Sequence, residues 1–153
     1  MRCYSKLRWA LVLPLLLVVL PGVTHAQAPR VLECDAVSKA GIGHRLIFRL
    51  QGEQIVEYTY TSTTRDGRIC DVSSDRGDSA DKWRDEANKT FVEIYGLSQG
   101  AALAKVVITK KDKSYELNVV QRDSVRACAP GASISPIAIL HVSKKNCDLG
   151  RED

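Results

Sequence analysis

The sequence predicts an all-β fold: a single antiparallel β-barrel or sandwich of about eight short strands. One short helix is a possible addition. Apolar residues recur at every second position in several short segments, which is the period of a strand with one buried face. Gly and Asp-Gly punctuate those segments at short intervals, as hairpin turns require. The chain has 153 residues, of which 44% are hydrophobic and 26% charged, and this composition suits one globular domain.

The first half of the domain contains four expected strands. A loop of three residues that includes Gly52 separates two alternating segments, which is typical of a hairpin. Asp66-Gly67 predicts a further turn, because this pair readily adopts positive φ. The expected strands are residues 31–37, 46–50, 55–61 and 68–72.

The middle of the chain is the least regular. Residues 73–81 contain no apolar residue larger than Ala and predict a surface loop. Ser79 is a candidate N-cap for a helical turn over residues 80–88, in which Trp83 and Ala87 lie four residues apart. So short a helix is marginal without packing, so it stays an open alternative.

The second hairpin is the clearest local prediction. Apolar residues alternate over residues 103–109 and again over 114–120, with a Lys-rich turn between them. Strand character also occurs at residues 91–95. Residues 137–143 are more continuously apolar, which predicts a strand buried on both faces.

Residues 1–26 predict a secretory signal peptide, which leaves residues 27–149 as the single β domain and 150–153 as a polar tail. A basic start precedes an uncharged run from Trp9 to Leu20, and small residues precede a cleavage site after Ala26. That run reaches about 18 Å as a helix, short of the ~30 Å hydrocarbon core. Cleavage after Ala28 is the alternative, disfavoured because Pro29 would follow. We expect a periplasmic or secreted protein without a stable membrane anchor.

The charge of the mature chain is nearly balanced. Without its first 26 residues it has 127 residues, 19 basic and 18 acidic, for a formal charge of +1. This removes the electrostatic argument for a nucleic acid or an anionic membrane as partner.

Four cysteines remain in the mature chain, and an even number in an oxidising compartment predicts two disulfides. We favour Cys34–Cys147 with Cys70–Cys128, because strands near the two ends of a small sheet often lie side by side. The sequential pairing, Cys34–Cys70 with Cys128–Cys147, stays open. The wide separations do not match the close ligand pairs of a structural zinc site, so no metal is expected.

No catalytic set is evident from the sequence. His44 opens an expected strand and His141 lies within an apolar one, so both are interpreted as structural. The cysteines are assigned to bridges, and neither a G-x-S-x-G elbow nor a Gly-rich phosphate motif is present. The sequence therefore predicts a non-enzymatic protein with no cofactor.

The candidate binding residues are Lys82, Trp83 and Arg84. They place a Trp between two basic residues in an otherwise charged stretch. Trp and Arg are enriched among the residues that contribute most of the binding energy at protein interfaces. The alternative interpretation is that Trp83 folds back onto the core while its neighbours face solvent. Nearby acidic residues balance the bases, so the patch does not predict nucleic-acid binding.

The outline of the chain resembles the small periplasmic β-barrel inhibitors of c-type lysozyme. The resemblance rests on the leader, the early Glu33-Cys34-Asp35 strand, the two hairpins and the terminal Asn146-Cys147-Asp148-Leu149. That family presents a Ser-Gly-x-x-Tyr loop followed by Trp-x-Lys-Gly. This chain has Asp81-Lys82-Trp83-Arg84 and lacks both elements, so the family's inhibitory residues are not carried over.

The favoured function is an exported binding module that inhibits, or gives immunity to, a cell-wall-degrading or toxin enzyme, with another exported protein as its partner. Two alternatives belong to other classes. One is a periplasmic hydrolase with paired carboxylates, which needs two buried carboxyl groups within about 5–10 Å of each other in an open groove. The other is a lipid or small-ligand carrier, which needs an apolar internal cavity.

Overall fold

The structure is a computed structural model that describes residues 28–95, 102–122 and 128–150. The expected signal peptide and most of the expected polar tail lie outside these residues. The described residues form ten strands: β1 (Arg30–Val37), β2 (Gly43–Gln51), β3 (Gln54–Thr63), β4 (Ile69–Asp75), β5 (Lys82–Glu86), β6 (Lys89–Ile94), β7 (Ala104–Lys111), β8 (Ser114–Arg122), β9 (Ile137–His141) and β10 (Cys147–Leu149).

The strands form two antiparallel sheets that are not closed into a barrel. The four-stranded sheet has the order β1-β2-β3-β4, and the six-stranded sheet has the order β10-β9-β8-β7-β6-β5. The all-β prediction is confirmed, with ten strands in place of about eight. Within the described ranges no helix is long and apolar enough to cross a bilayer.

The core lies between the inner faces of the two sheets. The rings of Phe48 and Tyr115, from opposite sheets, have centroids 5.6 Å apart, and those of Tyr58 and Trp83 are 5.9 Å apart. Every second residue of the strands contributes to this layer, as strand geometry requires. The largest fully buried side chains are Tyr58, Tyr60, Phe48, Leu46, Leu50, Ile108, Leu117 and Leu140.

Both disulfides tie the two halves of the chain together. The structure joins Cys34 to Cys147 and Cys70 to Cys128, the pairing favoured from the sequence. The first bridge connects β1 to β10, the edge strands of different sheets. The second holds the segment before β9 against β4, where the N–H of Ala129 donates to the carbonyl of Ile69 at 3.0 Å. Two such bridges indicate an oxidising environment.

The short helix considered for residues 80–88 is not formed. Residues 82–86 are strand β5, and Ala87, at a φ of 50°, closes a tight turn into β6. The spacing of Trp83 and Ala87 suited a helix, but the alternation of Trp83 with its charged neighbours fits a strand. Pairing with β6 and packing onto the core outweigh the weak helical preference of so short a segment.

Strand β9 is also less buried than its composition predicts. Ala138 and Leu140 are buried, whereas Ile137 and Ile139 are half-buried on the outer face of the six-stranded sheet. The strand ends at His141, so residues 142 and 143 lie beyond it. The prediction that this strand is buried on both faces is therefore wrong: one of its apolar faces lies at the surface of the sheet.

Candidate functional site

The candidate residues Lys82, Trp83 and Arg84 lie on β5, the edge strand of the six-stranded sheet. Because strand side chains alternate, Lys82 and Arg84 project from the outer face and Trp83 from the inner face. Both bases are exposed, and Trp83 is partly buried against the core. The three residues are adjacent in sequence, but only two of them share a surface.

Trp83 connects the six-stranded sheet to the four-stranded one. Its Nε1–H donates to Ser74 Oγ on β4 at 2.9 Å, and the Ser74 hydroxyl donates to Asp81 Oδ2 at 2.5 Å. The guanidinium of Arg76 lies 4.7 Å from the centre of the Trp83 ring. This arrangement matches the interpretation in which Trp83 folds back onto the core.

Asp85 is the second inward-facing residue of β5, and it joins the same contact region. Its carboxylate accepts hydrogen bonds from Arg76 Nη2 at 2.6 and 2.7 Å, from Gln54 Nε2 at 3.0 Å and from Thr90 Oγ1 at 2.8 Å. Partial burial alone would raise the pKa of Asp85, but these hydrogen bonds and the Arg76 charge outweigh it and lower the pKa. We call Ser74, Arg76, Asp81, Trp83 and Asp85 the polar seam.

The outward side chains of β5 rest on aromatic rings of the sheet surface. The Arg84 guanidinium lies 4.5 Å from the centre of the Phe91 ring, and the Lys82 ammonium lies 4.7 Å from the centre of the Tyr95 ring. Arg84 also pairs with Glu86, its neighbour on the same face of the strand. Each cation is thereby held at the sheet surface while its charge stays accessible to solvent.

These bases border an apolar groove on the outer face of the sheet. Phe91 on β6 pairs with Val107 on β7, and Val120 on β8 lies nearby with 62% of its surface exposed. The groove has a volume of about 570 Å³. Its outward-facing lining, which we call the outer-face patch, consists of Lys82, Arg84, Phe91, Glu93, Lys105, Val107 and Val120.

The sequence pattern does not indicate the apolar centre of this patch. Phe91 falls in a segment of strand character with no predicted role, and Val107 follows a residue of the buried face in an apolar run. Val120 is exposed close to a register irregularity between β7 and β8 at Lys105 and Val106. The alternation of Phe91 and Val107 with buried neighbours predicts only that their side chains face outward.

The shifted pKa values among the described residues have local causes. Each carboxyl group whose pKa departs clearly from its ordinary value departs downward: Glu53, Asp66, Asp85 and Glu93. Hydrogen bonds from cations, hydroxyls and the Gln54 amide account for these lower pKa values. Burial, with the charges of Asp81 and Asp71, raises the pKa of Tyr58, so its hydroxyl stays protonated.

Each of the two histidines within the described residues has a local contact. His44 is buried, with its Nδ1 3.2 Å from the Tyr60 hydroxyl, and His141 Nε2 lies 2.7 Å from Asp148 Oδ2. Across the described part of the chain, no three His, Cys, Asp or Glu side chains are placed to hold a metal ion.

Comparisons with protein-family models, with characterised proteins and with solved structures found no match to this chain.

Proposed function

We propose that this protein is an exported, non-enzymatic binding module whose outer-face patch contacts another exported protein. The observation that carries the proposal is the apolar centre of Phe91, Val107 and Val120, bordered by the exposed bases Lys82 and Arg84. Protein interfaces combine such a desolvated centre, often anchored by aromatic residues and Arg, with a polar rim.

The charges of the rim suggest what the partner offers in return. Lys82, Arg84 and Lys105 contribute three cations. Glu93 pairs with Lys105 at 3.3 Å and Glu86 beside the groove pairs with Arg84, so the cations are in excess by one. A complementary surface would carry carboxylates around an apolar protrusion that fills the groove. We therefore propose an acidic, apolar-centred site on the partner.

The proposed partner is a cell-wall-degrading or toxin enzyme, which this protein inhibits in the periplasm or outside the cell. The two disulfides and the expected signal peptide support the compartment. The resemblance of the outline to lysozyme inhibitors supports the inhibitory role, exerted here through different residues.

The binding module is favoured over the two alternative functions. A hydrolase with paired carboxylates needs two buried carboxyl groups close together, and no Asp or Glu among the described residues is buried. A ligand carrier needs an internal cavity, and large aromatic and aliphatic side chains occupy the space between the sheets. The groove of the outer-face patch is open at the surface instead.

The experiment is site-specific photo-crosslinking in the exporting cell. A photoreactive phenylalanine analogue replaces Val107 in one variant and Ile47 in the other. Ile47 is a matched control because it is also a half-buried apolar residue facing outward, but from the four-stranded sheet. We expect one exported enzyme to be captured from position 107 only, and its purified activity to fall when this protein is added.

Equal capture from both positions would contradict a role for the outer-face patch. A protein captured from position 107 that has no enzymatic activity would contradict the inhibitory role and leave the binding role supported.

A further inference from the structure

A second feature lies at the opposite side of the fold, where β1 and β10 meet. The N–H of Asp35 donates to the carbonyl of Lys145 at 2.9 Å, and Asp35 and Asn146 form an isolated parallel bridge beside the Cys34–Cys147 disulfide. Beyond this point the two strands border a groove of about 690 Å³. We call its lining, residues 35–39 and 146–150, the edge slot.

The direction of the two strands determines what could pair with them. All strand pairs within the two sheets are antiparallel, but β1 and β10 run parallel to each other at their single bridge. One inserted strand of opposite direction would therefore be antiparallel to both. Antiparallel pairing is slightly more stable per residue than parallel pairing.

The backbone groups at the slot face the right way for such a strand. Hydrogen bonding alternates along an edge strand, so groups that do not bond to the neighbouring strand point to the open side. Ser38 bonds back to Ile42 and Gly150 bonds back to Ile137. The N–H and C=O of Val37 and of Leu149 therefore point into the slot, and no backbone hydrogen bond joins these two residues.

The side chains of the slot indicate the chemistry of the inserted segment. Ala36 and Leu149 pack against the core and form an apolar floor. The carboxylates of Asp35 and Asp148 lie on the outer side, and Lys39 supplies the only cation among the lining residues. Asp35 lies 4.0 Å from Arg45 and Asp148 2.7 Å from His141, but 69% and 62% of the two side chains remain exposed to an incoming cation. Inward side chains of the segment would thus be apolar and outward ones basic.

We propose that the edge slot accepts an extended segment of another exported protein, in which apolar residues alternate with Lys or Arg. The segment runs antiparallel to both β1 and β10 and bonds to Val37 on one side and Leu149 on the other. This mode is β-augmentation, in which the main chain provides affinity and alternate side chains provide specificity. The slot does not overlap the outer-face patch.

The test uses the oxidised exported protein, labelled with nitrogen-15, and the capped peptide Val-Lys-Val-Lys-Val as probe. At about 3.3 Å per residue, five residues span the length of the slot. We expect saturable shifts of the Val37 and Leu149 amide signals and slower hydrogen exchange at both amides on binding. Absence of saturation at millimolar peptide would overturn the proposal.

The decisive variant is Val37→Pro, which removes the N–H that points into the slot and leaves the bonds to β2 in place. Val31→Pro is the matched control, since Val31 lies on the same strand with the same parity at its other end. We expect Val37→Pro to weaken peptide binding at least tenfold and Val31→Pro to change it less than twofold. Equal effects of the two variants would overturn the proposal.

Two further outcomes bear on the chemistry of the occupant. The peptide Val-Glu-Val-Glu-Val is expected to bind at least fivefold more weakly at low salt, and equal binding of both peptides would overturn the preference for basic segments. Concentration-dependent dimerisation that Val37→Pro abolishes and Val31→Pro does not would show that a second copy occupies the slot, which contradicts the proposal. None of these results depends on Phe91 or Arg84.

Discussion

The two faces of strand β5 have different surroundings, although their residues alternate within five positions. The inner face, Trp83 and Asp85, is bonded to the four-stranded sheet through Ser74 and Arg76. The outer face, Lys82 and Arg84, rests on aromatic rings of its own sheet and stays exposed. The difference shows that adjacent residues of one unusual segment can lie in opposite surroundings, and that the parity of each residue decides which. Under the proposed function, only the exposed residues contact the partner.

The largest expected effect is the loss of stability in Trp83→Ala. The variant loses the packing on Tyr58 and the hydrogen bond to Ser74, and we expect the free energy of unfolding to fall by about 2–4 kcal/mol. Truncating a fully buried Trp to Ala costs about 3–5 kcal/mol, and the expected loss is somewhat smaller because Trp83 is partly exposed. Urea unfolding measures the change. Trp83→Phe keeps a ring and should cost only about 1 kcal/mol.

An unchanged unfolding free energy in Trp83→Ala, with lost partner binding, would reverse the assignment of the two faces.

The next effect in size is on affinity and concerns the outer face. The double variant Lys82→Ala and Arg84→Ala removes two exposed cations from the rim of the groove. We expect about tenfold weaker binding to the captured enzyme, which is about 1.4 kcal/mol, and a weaker dependence on salt. Isothermal titration calorimetry at two salt concentrations measures both. The control is the double variant Arg45→Ala and Arg49→Ala on the outer face of the four-stranded sheet, which should bind normally.

The smallest expected effect is a pH dependence of the polar seam. The pKa of Asp85 is lower in the folded state than in the unfolded state. Its contribution to the free energy of unfolding is therefore complete above the unfolded pKa of about 3.9, and it is lost as the pH falls through the lower folded pKa. Because the side chain is 41% exposed, we expect a contribution of only about 0.2–1 kcal/mol. The unfolding free energies of the wild type and Asp85→Asn, measured from pH 6 to about pH 2, should differ near neutrality and converge in acid. A constant difference would contradict this account.

Local patterns were sufficient to predict much of the fold. The hairpin of β7 and β8 follows from strict alternation across a Lys-rich turn, and the turn at Gly52 was recognised from its residue type. The favoured disulfide pairing also rests on a simple idea, that the two ends of the domain lie together. Such features depend on residues close in sequence or on the closure of a small domain.

The rest depends on long-range pairing that one sequence does not encode locally. Pairing with β6 and packing on the core decide whether residues 82–86 form a helix or a strand. Only once the segment is a strand is it determined that the Trp83 side chain faces the core. The patch of Phe91, Val107 and Val120 requires the register of three strands. The edge slot exists because β1 and β10 separate beyond their single bridge, and no local sequence pattern predicts that separation.

The most direct measurement is the dissociation constant of the captured enzyme for two variants, Phe91→Ala and Ile47→Ala. Both remove a half-buried, outward-facing apolar side chain, from the six-stranded and the four-stranded sheet respectively. If the outer-face patch is the binding surface, Phe91→Ala weakens binding more than tenfold while Ile47→Ala leaves it within twofold of the wild type. Equal dissociation constants for the two variants would contradict the account.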